Sequence, residues 1–198
     1  MTDEPTSSVD VVERAAPVTL RRRNPTRTVL EWVIILVVAV GVSFFVRTFA
    51  FQTFFIPSGS MEPTLMVGDR IVVDKLSVDF GSINIGDILV FKAPPTENCG
   101  GPPVTDLVKR VIGTPGDTIT SKGNTIYVNG RPLAEKWTHT EPLGPAIGVV
   151  HLKANQYFMM GDNHSDSCDS RSWGPITRSD VIGKAFLRIW PLSRFGSL

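Results

Sequence analysis

Hydrophobic and polar positions divide the chain into three unlike stretches. Residues 1–27 are polar, interrupted by Pro5, Pro17 and Pro25, carry no hydrophobic period, and read as a disordered tail. Residues 28–47 are the opposite. Their centre, "VLEWVIILVVAVGVSFFV" (29–46), holds a single charge, Glu31. Roughly 20 apolar residues span a bilayer core, and this run falls within the lower part of that range. A buried core helix would be amphipathic, whereas this one is apolar all round, so the pattern predicts a transmembrane anchor.

From residue 48 onwards the pattern changes to short alternating or apolar runs divided by turn residues. "RIVVDKLSV" (70–78), "DILVFKAP" (87–94) and "DLVKRVIGT" (106–114) read as strands. "TIT" (118–120) and "TIYVNGRPLA" (125–134) flank the turn "SKGN", and Asn129-Gly130 signals a second turn. "QYFMMGDN" (156–163) and "DVIGKAFLRIWPL" (180–192) complete the set, while 95–105 is a Pro/Gly-rich loop and 135–150 a looser segment. No long 3.6-residue period occurs after residue 50. The expectation is therefore a mostly β, antiparallel domain over 48–198, preceded by one N-terminal transmembrane helix. "TFAFQTFFI" (48–56) is unusually apolar for a linker and is either a core strand or a segment lying in the lipid interface.

Charge fixes the expected orientation. Arg21, Arg22, Arg23 and Arg27 crowd the N-terminal side of the apolar run, and Arg47 stands alone on the other. The positive-inside rule then puts the tail in the cytoplasm and residues 48–198 outside. A cleavable signal peptide is the competing reading, since "TFA" (48–50) resembles a small-x-small site. The apolar run exceeds the usual h-region of about 7–15 residues, and Arg47 intrudes before the site, which favours retention. Over the whole chain 20 Lys plus Arg face 19 Asp plus Glu, a net charge of +1. That balance offers no electrostatic reason for a nucleic-acid partner. Cys99 and Cys168 are too few for a disulfide scaffold but could form one bridge in an oxidising compartment, and neither has metal-ligand spacing.

The candidate chemistry centres on "PSGSMEPTLM" (57–66), just beyond the apolar segment. A serine hydroxyl needs a neighbouring base, yet no His lies within seventy residues of Ser60. His139 and His151 occupy weakly patterned stretches that suit surface or turn roles. His164 sits among Asp162, Asp166 and Asp169, an arrangement that fits a triad or, more simply, a hydrogen-bonded loop. Lysine is the other possible base, if burial keeps it neutral. Lys109 stands in the apolar run "DLVKRVIG", on the face of Leu107 and Val111 by period two, with Arg110 on the face of Val108 and Ile112. It is either a neutral base turned inward or a strand-edge lysine reaching back to water.

Three motifs in order after one anchor, "PSGSMEPTL", "LVKRVIGTPGD" and "MGDNHSDSCDSR", resemble the bacterial type I signal peptidases, membrane endopeptidases that use a Ser/Lys dyad. The likeness runs from about Ile56 to Gly183. It implies that Ser60 is the nucleophile and Lys109 the general base, with Ser58 helping to bind the oxyanion and Ser167 orienting the lysine. Asp169 and Arg171 match the pair that supports this loop, and Gly161 and Asp162 belong to the same box. Ile56, Pro57, Met61, Leu65 and Val108 match positions that line pockets for small residues, Ala-x-Ala being preferred before the scissile bond. The resemblance implies no metal and no organic cofactor. The implied partners are signal-peptide-bearing preproteins, membrane lipid and, by proximity, the export translocon, at a bacterial plasma membrane. A specialised relative with one export substrate or a pilin would look the same in sequence. A non-catalytic, membrane-anchored peptide-binding domain would be expected to lack Ser60 or Lys109.

Three positions depart from the family pattern. His164 stands where Arg is common, Glu62 follows the nucleophile's Met where many members differ, and Cys168 stands where Ala is common. The last suggests a Cys99–Cys168 bridge tying the 95–105 loop to the active-site loop, against the alternative of two free thiols. The stretch between Lys109 and Gly161 is short for the family, so no large accessory β subdomain is expected.

Overall fold

The computed structural model describes residues 25–100, 104–138 and 142–198. Most of the expected tail and His139 lie outside the described residues. The chain divides between Gly41 and Val42 into two compact units.

The first unit contains most of helix α1 (Pro25–Phe49), longer than the predicted 28–47 at both ends. Proline is well suited to the first helical position, where its missing N–H would have no partner in any case. Residues Thr26–Phe44 form a helix long and apolar enough to cross a membrane, and its large side chains, including Trp32, Leu36 and Val40, are exposed. At 1.5 Å per residue that stretch is about 28 Å long, close to the thickness of a hydrocarbon core. Glu31, the lone charge, pairs with Arg27 one turn away at 3.6 Å.

The second unit is built from twelve described strands. In chain order they begin with β1 (Phe51–Phe55), β2 (Arg70–Asp74), β3 (Ile88–Lys92) and β4 (Asp106–Gly113). Then come β5 (Thr118–Lys122), β6 (Thr125–Val128), β7 (Arg131–Pro132) and β8 (Val150–His151). The last are β9 (Gln156–Met160), β10 (Ile176–Thr177), β11 (Val181–Trp190) and β12 (Gly196–Ser197). The larger sheet runs β1-β2-β11-β3-β4-β9-β10, with β12 also paired to β11, and a smaller sheet runs β7-β6-β5-β8. Every pairing is antiparallel, as the patterning predicts.

The central strand β3 is a continuous apolar run, Ile88 to Phe91, because both of its faces are covered. One face of the sheet packs Leu89, Phe91, Val111, Met159 and Trp173 together, and the other packs Ile56, Met61, Leu65, Ile71 and Val90. The smaller sheet closes over a third cluster that includes Ile112, Ile119 and Ile126. Adjacent Val111 and Ile112 thus serve two different cores from opposite sides of β4. At the predicted turn, Asn129 and Gly130 both have positive φ, 52° and 75°, the conformation that favours this pair in tight hairpins.

One predicted strand stops early. Residues 70–78 read as one strand, yet the ladder ends at Asp74 and Leu76–Phe80 forms a helical turn, α2. The Asp74 carboxylate accepts from the backbone N–H groups of Leu76 and Ser77, and the Ser77 hydroxyl donates to the Asp74 carbonyl. These local bonds outcompete the ladder for the same backbone. "TFAFQTFFI" contributes β1, the terminal strand of the larger sheet, with Phe51 and Phe55 exposed.

Candidate active site

Ser60 lies in a single 3-10 turn, Gly59–Met61, between β1 and β2. The turn is fastened from below by Met61 and Leu65, at 1% and 0% exposure, in the cluster with Ile71 and Val90. Lys109 sits midway along β4, paired to Leu89 of β3. On its other edge β4 pairs with β9 only from Arg110 onwards, so among the described strands none covers residues 106–109 there. The two motifs, 49 positions apart, meet in space: Lys109 Nζ donates a hydrogen bond to Ser60 Oγ at 2.6 Å. Ser58 Oγ lies 3.5 Å from Ser60 Oγ on the outer side of the turn, where it is exposed.

Lys109 is only 3% exposed, and the sequence alternative of a lysine reaching to water does not hold. Burial lowers its pKa from 10.5 to about 8. The Asp169 carboxylate opposes that shift, the Arg171 guanidinium reinforces it, and Asp162 and Asp166 oppose it more weakly. Near pH 8 the amine is therefore half neutral. Loss of one ammonium proton reverses the 2.6 Å bond, so that Ser60 O–H donates to a nitrogen lone pair, the arrangement that activates a hydroxyl.

A cleft of about 370 Å³ opens over the pair, lined by Ile56, Pro57, Ser58, Ser60, Met61, Val108 and Lys109, together with Phe54, Phe55 and residues 104–107. Four of the five expected pocket residues are therefore at its wall. Leu65 is not; it is fully buried in the apolar cluster that also holds Ile56 and Met61.

The loop after β9 braces the turn that carries Ser60. Asn163 donates from its backbone N–H to Ser60 O and from its side chain to Gly59 O, each at 3.2 Å. Gly161 N donates to Asp169 at 3.2 Å, and a Cβ on Gly161 would collide with Ser167 Oγ and Ser60 O, so only glycine fits this approach. Arg171 Nε and Nη2 form a fork on the Asp169 carboxylate, each at 2.7 Å, and Arg171 also reaches the carbonyls of Leu143, His164 and Ser167. Asp169 additionally caps the short helix α3 (Ser170–Trp173). Ser167 Oγ is buried beside Gly161 and makes no hydrogen bond, so its expected bond to Lys109 is not formed in this arrangement.

Sequence reasoning overlooked Arg110. It is 7% exposed, grips Asp162 through Nε and Nη2 at 2.8 and 2.6 Å, donates to Gly86 O, and lies 4.7 Å from the Trp137 ring centroid. A cation within an apolar strand, with no acid next to it in sequence, was the available signal, because a buried charge needs a partner somewhere. Neither other described histidine contacts the Ser60 hydroxyl: His151 is exposed and bonded to Thr118, and His164 faces Glu135. Cys99 and Cys168 are joined in a disulfide, with Cα atoms 6.0 Å apart.

Residues 29–190 match the family model described as signal peptidase, peptidase S26. The chain belongs to this family. It is 38% identical over 163 residues to a signal peptidase I of Leptolyngbya laminosa, covering 82% of this chain and 78% of that one. It is 37% identical over 220 residues to a signal peptidase I of Mycobacterium tuberculosis strain H37Rv, covering 85% and 75%. A crystal structure of a signal peptidase I from Enterococcus faecalis V583 aligns with a TM-score of 0.44 at 25% identity, covering 52% of this chain and 96% of that one. As a member of the S26 family the protein is a serine endopeptidase, a hydrolase that removes signal peptides, and the reading as a non-catalytic peptide binder falls away.

Proposed function

We propose that this signal peptidase is a single-pass membrane enzyme in which Ser60 is the nucleophile and Lys109 the general base. The observation that carries the assignment is the 2.6 Å contact between Lys109 Nζ and Ser60 Oγ at the wall of an apolar cleft. The preprotein's cleavage region adds as an extended strand along residues 106–109, on the edge of β4 that no described strand covers, and its alternate side chains enter the cleft. The modest cleft and its apolar walls of Ile56, Pro57, Met61 and Val108 suit a small-x-small sequence before the scissile bond.

Neutral Lys109 takes the Ser60 proton as Ser60 attacks the scissile carbonyl. Ser58 Oγ and the Ser60 backbone N–H stabilise the oxyanion, a donor contribution of about 2.7–4 kcal/mol in comparable sites. The lysine then protonates the departing amine, and water releases the acyl-enzyme with the same base. Asp169, Arg171, Gly161 and Asp162 hold the surrounding loop, and Ser167 is packed against Gly161 within it.

The apolar helix is the anchor, with the arginine-rich tail in the cytoplasm and residues from 48 outside. Anchoring confines enzyme and preprotein to one surface close to the translocon, and raises their effective concentration. The test is cleavage of a preprotein in lipid or detergent by wild type, Ser60→Ala and Lys109→Ala. Both variants are expected to lose at least about 10³-fold in turnover; wild-type rates from either variant overturn the assignment.

A further inference from the structure

Three contacts fasten the segment 135–138 to the residues behind the nucleophile, and one of them uses His164. Thr138 Oγ1 donates to Asp162 O at 2.7 Å, and Trp137 covers the Arg110 guanidinium that holds the Asp162 carboxylate. The third contact is His164 Nε2 to Glu135 Oε1, 3.2 Å apart. Both atoms are buried, neither makes a hydrogen bond within the described residues, and each is the polar atom that the other faces. A buried carboxyl oxygen is costly without a polar group facing it, and His164 is the group provided.

The contact leads directly to the nucleophile. His164 follows Asn163, whose backbone and side chain hold Ser60 O and Gly59 O. The His164 carbonyl is itself gripped by Arg171 Nη2 at 2.9 Å. The loop 162–164 is thus held on one side by the Asp169–Arg171 pair and on the other by Glu135. Only the second of these ties crosses to the segment after the smaller sheet's hairpin.

We propose that Glu135 and His164 form a latch that positions Ser60, by pinning the Asp162–His164 loop against residues 135–138. They are positioning residues, since neither touches the reacting atoms. The proposal rests on the assignment of Ser60 as nucleophile. An Arg at 164 would bring donors of its own to the same carboxyl group, which makes His164→Arg a conservative test of the latch.

The experiment compares full-length wild type, Glu135→Leu, His164→Leu, the double variant, His164→Arg and Ser60→Ala, with kcat, KM and Tm measured for each on one preprotein. Each single leucine variant is expected to lower kcat by about 10- to 100-fold, the scale on which small misplacements act, with KM within about twofold. Each should also lose stability by leaving one buried polar group alone. The double variant removes both groups and should recover Tm, while kcat stays as low as in the worse single variant. His164→Arg should keep kcat within about threefold of wild type, and it reports on the latch even if a leucine variant fails to fold. The latch is overturned if the folded single variants keep wild-type kcat, if the loss lies in KM, if kcat returns together with Tm in the double variant, or if folded His164→Arg is as slow as His164→Leu. A Ser60→Ala enzyme that still cleaves would instead overturn the assignment on which the latch rests.

Discussion

In the proposed mechanism, burying Lys109 costs stability in order to supply a base, and replacing it with methionine should expose both sides of that exchange. In the unfolded chain the amine titrates near 10.5, and in the fold near 8. At pH 7 roughly a tenth of the folded enzyme then carries a neutral lysine, about 300-fold more than an unshifted amine would give. The same difference is a stability term. Between the two pKa values the unfolded chain holds more protons, so stability rises with pH across that window. The cost is fully present below about pH 8 and fades as the pH passes through 10.5. Its size is about 3 kcal/mol at pH 7 and under about 1 kcal/mol at pH 10.

Lys109→Met keeps an unbranched side chain one atom shorter, removes the charge, and forfeits the hydrogen bond to Ser60, worth about 1 kcal/mol. A net gain of about 2 kcal/mol at pH 7 follows, or a Tm higher by about 4–8 °C for a domain of this size. The assays are thermal unfolding of both proteins at pH 7 and pH 10, and single-turnover acylation of wild type from pH 5 to 9. Acylation should rise about tenfold per pH unit up to about pH 8 and then level off. An inactive Lys109→Met enzyme with unchanged or lower Tm at pH 7 would refute the reasoning, as would an equal Tm difference at both pH values. A flat wild-type profile between pH 5 and 8 would refute it from the kinetic side.

Three further outcomes follow from the same geometry. Closing 69 residues of sequence, the Cys99–Cys168 bridge should contribute on the order of 4 kcal/mol by restricting the unfolded chain, so Cys99→Ser/Cys168→Ser should melt well below wild type without reductant and equally with it. Gly161→Ala should cut kcat by at least about tenfold with little change in KM, because its methyl must displace Ser167 Oγ or Ser60 O; unimpaired acylation would show that the loop yields freely. Ser58→Ala should lose about 10²- to 10³-fold in kcat while folding and binding normally, and a loss confined to KM would assign Ser58 to substrate binding instead.

Much of the architecture was legible along the chain because it depends on local periodicity. The all-round apolar run from Val29 became α1, and strands at 88–92, 106–113, 156–160 and 181–190 followed their predicted runs. The failures were local competitions that periodicity does not register, as where Asp74 and Ser77 turned a strand into α2. In the site, Ser60 and Lys109 were legible as residue types in motifs, and Ser58 stood beside them by spacing alone.

The sequence by itself determined the class of the molecule: an apolar segment with basic flanks, an antiparallel β domain, and three ordered motifs. Only the tertiary structure decided which lysine environment was real, because a pKa is set by everything packed around a group and not by its neighbours in sequence. Val108 and Arg110 flank Lys109 equally in either reading. What lowers its pKa is enclosure between β3 and the loop after β9, with Ser60 delivered from 49 residues earlier. The partners of Arg110, His164 and Cys168 were decided in the same way. Each lies 29 to 69 residues away, Glu135 for His164, Asp162 for Arg110 and Cys99 for Cys168, at distances along the chain over which no local rule operates.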